Sequence, residues 1–214
     1  MQRIAVIDYG MGNLRSVSKA LETVAPGDEV LVTSEVALIE SAERIVCPGQ
    51  GAARDCMAAL AETGLGAVVE RLIDTRPFLG ICMGYQVLFD HSEENDGVAC
   101  LGLVPGQVRR FAAPLIDGSG QRLKVPHMGW SMVEQGMAHP LWSGIEDGSR
   151  FYFAHSYYCE PDATEIVSGY ANYGDRLAVS IARPGLFACQ FHPEKSARMG
   201  LQLLTNFASW DGTQ

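Results

Sequence analysis

Apolar positions along this chain fall into two textures. Through the first half, short continuous apolar runs alternate with stretches whose apolar positions recur every three or four residues: 3–7 precedes 13–24, 44–47 precedes 52–63, and 77–81 precedes 85–91. Strands written as uninterrupted apolar runs are buried on both faces, and strands alternating with helices are joined by crossovers. The pattern therefore predicts βαβ units around a parallel sheet. From about residue 97 to residue 190 the runs shorten and are punctuated by Gly, Pro, Asn and Asp, with strand-like segments at 107–111, 151–154, 166–170 and 177–181. This half reads as an antiparallel or mixed strand region. Leu203, Leu204 and Phe207 stand at helical spacing within 199–210 and predict a closing helix.

The expected fold class is α/β: a flavodoxin-like, doubly wound, mostly parallel sheet with helices on both faces and the additional strand region at its side. At 214 residues and 47% hydrophobic content the chain can bury one sizeable core, so a single domain over 1–214 is expected. A formal net charge of -9 and the lack of a basic stripe argue against nucleic acid or an anionic membrane as partner. The apolar run at 4–7 is too short for a signal-peptide core or a membrane span, so a soluble, cytoplasmic protein is expected. The six cysteines include no C-x-x-C pair, and no H-E-x-x-H occurs, so no metal is expected and the thiols read as free in a reducing compartment. Three glycine-rich turns follow predicted strands, at 8–13, 48–51 and 80–84. The first imitates a dinucleotide fingerprint, but Arg15 stands where the third glycine is required, so no such cofactor is expected.

The third turn carries the chemistry. Gly80-Ile81-Cys82-Met83-Gly84 places a cysteine where G-x-S-x-G turns hold a serine nucleophile at a sharp strand-to-helix bend. A thiol becomes nucleophilic as thiolate, which a helix N-terminus or a basic partner favours. In "QFHPEKS", Pro193 biases His192 toward extended backbone, so His192 and Glu194 project to one side and the carboxylate can hold the imidazole tautomer. Alone, the cysteine reads as a buried small hydrophobe and His-Pro-Glu as an exposed turn. Together, each after an apolar strand (78–81 and 186–189), they predict a Cys82, His192, Glu194 triad.

The segments "GICMGYQ" and "FHPEKS" resemble the class I, or triad, glutamine amidotransferases. Further segments, "IAVIDYGMGNLRSV", "CPGQG", "VPHMGW", "YFAHSYY" and "GLQLLTNF", narrow the resemblance to a branch that serves histidine biosynthesis. The resemblance implies L-glutamine as substrate, a thioester on Cys82, and ammonia delivered to a separate (β/α)8 cyclase subunit. That partner would join it to a ribonucleotide intermediate, giving imidazole glycerol phosphate. It also implies an oxyanion hole from the backbone of Gln50, Gly51 and Met83, substrate contacts from Gly49, Gln86, His155, Ser156 and Tyr157, and a partner rim including Asn13, Trp130 and Lys195. The family turn most often carries valine where this chain has Gln50. His127 and His155 belong to family segments, whereas His91 and His139 are expected on the surface. Three alternatives stay open at this stage: a glutaminase subunit for sugar or vitamin amination, a stand-alone γ-glutamyl hydrolase, and a non-catalytic flavodoxin-like binding module.

Overall fold

The computed structural model describes residues 1–213. Its first half runs β1 (Arg3–Ile7), α1 (Leu14–Val24), β2 (Glu29–Thr33), α2 (Val36–Glu40), β3 (Arg44–Gly49), α3 (Ala53–Thr63), α4 (Leu65–Leu72), β4 (Phe78–Cys82) and α5 (Met83–Gln86). The second half is strand-rich: β5 (His91–Ser92), β6 (Val98–Ala99), β7 (Gly106–Arg110), β8 (Leu115–Ile116), β9 (Arg122–Leu123), β10 (His127–Met132), β11 (Glu134–Gln135), β12 (Arg150–His155), β13 (Tyr157–Pro161), β14 (Val167–Tyr173), β15 (Asp175–Arg183) and β16 (Leu186–Cys189). Helix α6 (Ala197–Ser209) closes the chain where the spacing predicted it.

Strands β2, β1, β3, β4 and β16 lie side by side and all pair in parallel. From β16 the same sheet continues through β15, β13, β7, β5 and β6, mostly antiparallel, and β14 and β11 branch from β15. The mixed region is thus an extension of the parallel sheet across its edge. Alternation along the buried strands divides the core: Ile4, Val6, Leu79 and Ile81 face a cluster that includes Leu21, Leu203 and Phe207, whereas Ala5, Ile7 and Phe78 face one that includes Leu60, Val69 and Leu72. Helices α1 and α6 therefore cover one face, and α3 and α4 the other. Among the described residues no helix is long and apolar enough to cross a membrane.

Two features depart from the pattern reading. The helix expected at 85–91 is only the four-residue α5, and His91 opens a strand instead. Val87, Leu88 and Phe89 are each fully buried, so no polar face exists for a longer amphipathic helix, and the N–H groups of Leu88 and Phe89 close tighter bonds to Tyr85 and Gln86. His139 is buried rather than exposed: its ring lies between Phe187 and Trp210, and Nδ1 accepts the Leu141 N–H. Burial pushes its pKa down to about 4. His91 is half-buried. Finally, where the sequence offers no expectation for 127–132, β10 pairs with β12 as an antiparallel two-stranded ribbon separate from the main sheet, within the antiparallel or mixed half that is expected.

Cys189 of β16 lies opposite Ile81 of β4, so the cysteine turn and the His-Pro-Glu segment leave the sheet as neighbours. Gly49 at the end of β3 lies opposite Cys82 on the other side. The three glycine turns share one edge, and a Cβ on Gly12 would meet the Gly49 Cα at 3.3 Å, so the first turn packs on the second by lacking side chains.

A Cβ on Gly84 would overlap the Cys47 carbonyl, which belongs to a buried central strand and cannot yield. Gly84→Ala should therefore lower stability by at least about 3 kcal/mol, as severe overpacking does. Gly27 has nothing within 4 Å of the same position and no positive φ, so Gly27→Ala should be neutral or stabilising by up to about 1 kcal/mol. Chemical denaturation of both variants checks the contrast.

Candidate active site

Cys82 ends β4 with φ 56° and ψ -107°, a backbone conformation that residues with a side chain rarely adopt. Such strain costs on the order of 1–3 kcal/mol and persists only where the surroundings over-determine it. Here they do. A Cβ on Gly80 would lie 2.6 Å from the Gly84 carbonyl oxygen, so the two flanking glycines allow the chain to fold back on itself. The bend turns the Cys82 side chain into a cavity of about 350 Å³ while leaving the residue only 6% exposed.

His192 follows β16 in extended conformation (φ -101°, ψ 95°), as the following proline requires. Its Nδ1 lies 2.9 Å from Glu194 Oε1, and the two side chains are 4% and 1% exposed. An ionised carboxylate only accepts, so Nδ1 donates and Nε2 is left for the thiol. Ser196 braces this turn: its hydroxyl donates to the His192 carbonyl at 2.6 Å and accepts the Tyr152 N–H at 3.0 Å. Burial works against a charged His192. Its hydrogen bonds and charge interactions with Cys82 and Glu194 outweigh that cost and raise its pKa to about 9.

The cavity gathers most of the sequence-predicted residues. Cys82, Met83, Gln86 and His192 line its floor side, with Gln50 and Gly51 from the β3 loop. His155, Ser156 and Tyr157 line it from the β12–β13 turn, and Lys195 also reaches it. Glu194 sits behind His192. Gly49 is buried outside the lining, where a Cβ would collide with the Tyr9 hydroxyl and lie 2.6 Å from Met83 Cβ. Asn13 and Trp130 are outside the cavity, and Trp130, 42% exposed, lines a separate surface recess with Met132 and Arg150.

Residues 5–209 match the family described as glutamine amidotransferase class-I. The imidazole glycerol phosphate synthase subunit HisH of Thiobacillus denitrificans is 56% identical over 209 residues, covering 97% of this chain and 91% of that one. Subunit HisH 1 of Pseudomonas aeruginosa is 56% identical over 212 residues, 99% of both chains. The chain belongs to the class-I glutamine amidotransferases. Solved structures agree in fold: a glutamine amidotransferase superposes with a TM-score of 0.69 at 19% identity over 96% of this chain and 98% of its own. A chain of PurLQS from Thermotoga maritima gives 0.63 at 19% identity over 97% and 98%.

Two residues at this candidate site escaped the sequence reading. Glu94, in the loop after β5, is the one carboxylate lining the cavity, and its Oε2 accepts the Ala53 N–H at 2.6 Å at the start of α3. Gln190, between β16 and His192, is buried, with its Nε2 3.8 Å from Cys82 Sγ. Neither belongs to a recognisable catalytic pattern; Gln190 is part of the quoted "QFHPEKS", but polar residues at strand ends are commonly just solvated.

The raised pKa of His192 has two partners, Cys82 and Glu194, and one can be altered without leaving a cavity. Cys82→Ser should bring the His192 pKa down from about 9 toward the ordinary 6.5, read from the histidine ring signals in an NMR pH titration. Titration still centred near 9 in the serine variant would show that the thiol does not hold the imidazolium.

Proposed function

We propose that this chain, acting as one amidotransferase domain, hydrolyses L-glutamine and delivers the ammonia to a cyclase, as the glutaminase subunit of a cytoplasmic imidazole glycerol phosphate synthase heterodimer. The observation that carries the chemistry is the strained Cys82 with the buried His192–Glu194 pair beside it. Full-length identity to HisH subunits supports the pathway over sugar or vitamin amination.

Cys82 Sγ attacks the carboxamide carbon of glutamine. The carbonyl electron pair moves onto oxygen, and the oxyanion is held by backbone N–H groups of Met83 and of the Gln50-Gly51 loop; one such donor is worth roughly 3 kcal/mol of barrier. His192, protonated at rest, gives its proton to the departing nitrogen, so ammonia leaves and a thioester remains. Neutral His192 then takes a proton from water as the water attacks the thioester; the C–S bond breaks, glutamate departs and the thiolate–imidazolium pair returns. Glu194 keeps Nδ1 protonated throughout. At the other end of the substrate, Glu94 supplies a negative charge for the α-ammonium group, and the 155–157 turn seats the α-carboxylate.

The partner reading rests on solvent-facing apolar side chains next to the site. Met128, Trp130 and Met132 are 65%, 42% and 65% exposed on one side of β10, and Met128 also lines the cavity. Lys195 lines the cavity beside Met128, and the family resemblance adds Asn13 to this rim. Free ammonia is protonated in neutral water, so a closed passage into a synthase keeps it nucleophilic.

Glutamate release by the chain alone, with cyclase, and with cyclase plus its nucleotide ligand tests the whole reading. Activity should rise at each addition and vanish with Cys82→Ala. A fully active isolated chain, insensitive to both additions, would favour the stand-alone hydrolase, and turnover surviving Cys82→Ala would dismiss the triad. The oxyanion loop yields a separate expectation, because it acts through main-chain groups. Gln50→Val should change kcat/KM less than tenfold, whereas Gly49→Val, which meets Tyr9 and Met83, should cost two orders of magnitude or more.

A further inference from the structure

Gln190 is held at its main-chain N–H and at both polar atoms of its side chain. Its backbone N–H donates to the Val179 carbonyl at 2.8 Å, its side-chain oxygen accepts the Gln86 amide at 2.9 Å, and its side-chain nitrogen lies 3.8 Å from Cys82 Sγ. The residue is 1% exposed, so no water competes for these contacts. We propose that Gln190 is a catalytic residue of the glutaminase site, donating an N–H to the Cys82 thiolate while holding Gln86 in one orientation. This rests on the glutaminase reading above.

The two roles follow from one carboxamide. A hydrogen bond to an ionised acceptor is about twice as strong as one between neutral groups, so a donor aimed at sulfur favours thiolate over thiol. With its oxygen, Gln190 takes an N–H from Gln86, whose other contact is a long 3.4 Å bond to the Tyr157 carbonyl. A flipped Gln86 would turn its oxygen toward the Gln190 oxygen and the Tyr157 carbonyl, leaving two oxygen–oxygen contacts. The orientation observed leaves Gln86 Oε1 buried without a partner on the cavity wall. A free acceptor there suits the carboxamide –NH2 of the substrate, which must give up its nitrogen as ammonia. A neutral amide at 190 does this without adding negative charge beside the sulfur.

The groups that titrate against Cys82 are few. His192 interacts with it directly, and Tyr9, Cys56, Cys159 and Cys189 interact with it from further away. Burial raises the pKa of all four of the latter, so none of them ionises near neutral pH.

The test is the pH dependence of Cys82 alkylation by iodoacetamide on the full chain, followed at that peptide by mass spectrometry, together with glutaminase activity in the cyclase complex. Gln190→Leu, close in volume but without a donor, should move the alkylation midpoint up by about one pH unit and lower kcat/KM at least tenfold. Gln190→Glu keeps the shape, loses the donor and adds charge, so it should shift the midpoint further; it also serves if the leucine variant does not fold. A folded variant with an unchanged midpoint and unchanged turnover overturns the assignment. Failure of the underlying glutaminase reading shows differently, as wild-type turnover that survives complete alkylation of Cys82.

Discussion

The site depends on one backbone constraint: Cys82 is held at positive φ in a bend whose outer residues, Gly80 and Gly84, have no room for a Cβ. Gly84 lies against Cys47 of β3, and Gly80 lies against Gly84 across the bend. These contacts tie Cys82 to two central, fully buried strands, so relaxing the strain would mean moving the sheet. The cost of the strained residue is small beside that of disturbing a close-packed core. The same constraint sets the spacing of the site. Cys82 is aligned with Gly49 on one side and emerges beside the end of β16 on the other, so the Gln50-Gly51 loop and the His192 imidazole leave from the strands on either side of it.

This much was legible in the sequence because it is written in local terms. Continuous apolar runs mark β1, β3 and β4, glycines mark the turns that follow them, and His-Pro-Glu carries its own backbone restriction. What was not legible depends on long-range burial. The run Val87-Leu88-Phe89 continues a helical-looking pattern, but it is enclosed on all sides and turns early into β5. His139 reads as a surface histidine between glycine- and proline-rich stretches, yet the closing end of α6 brings Trp210 over it. Gln190 is one polar residue in an apolar strand end, and only the packing of β4 against β16 shows what it faces.

Histidines in this protein show how environment, rather than residue type, divides their roles. His155 lines the same cavity as His192, but burial holds its pKa down to about 3, and the charge on His192 adds to that effect. Its protonation is also fixed by geometry. Nδ1 donates to the Tyr157 carbonyl at 2.7 Å, so Nε2 accepts from His127 Nδ1 at 2.9 Å, and His127 Nε2 in turn accepts the Ser131 hydroxyl at 2.8 Å. Two neutral rings in a directed chain leave the charge on the cavity's imidazoles to His192, whose pKa is raised to about 9.

That chain also accounts for the unusual surface of β10. Residues of a strand alternate between faces, so the face that carries His127, Gly129 and Ser131 inward obliges Met128, Trp130 and Met132 to point out. An antiparallel ribbon normally places polar residues on its solvent side. Here the interior needs are met by polar side chains and the exterior is apolar, an inversion that burial within this chain cannot explain. Apolar side chains grouped on an otherwise acidic protein, beside the cavity that would release ammonia, have a use once a second subunit covers them. The inward face of β10 meets the cavity wall through His155, and the outward face is the one proposed to meet a partner, so a shift of this ribbon on docking would be felt at the 155–157 turn that borders the cavity.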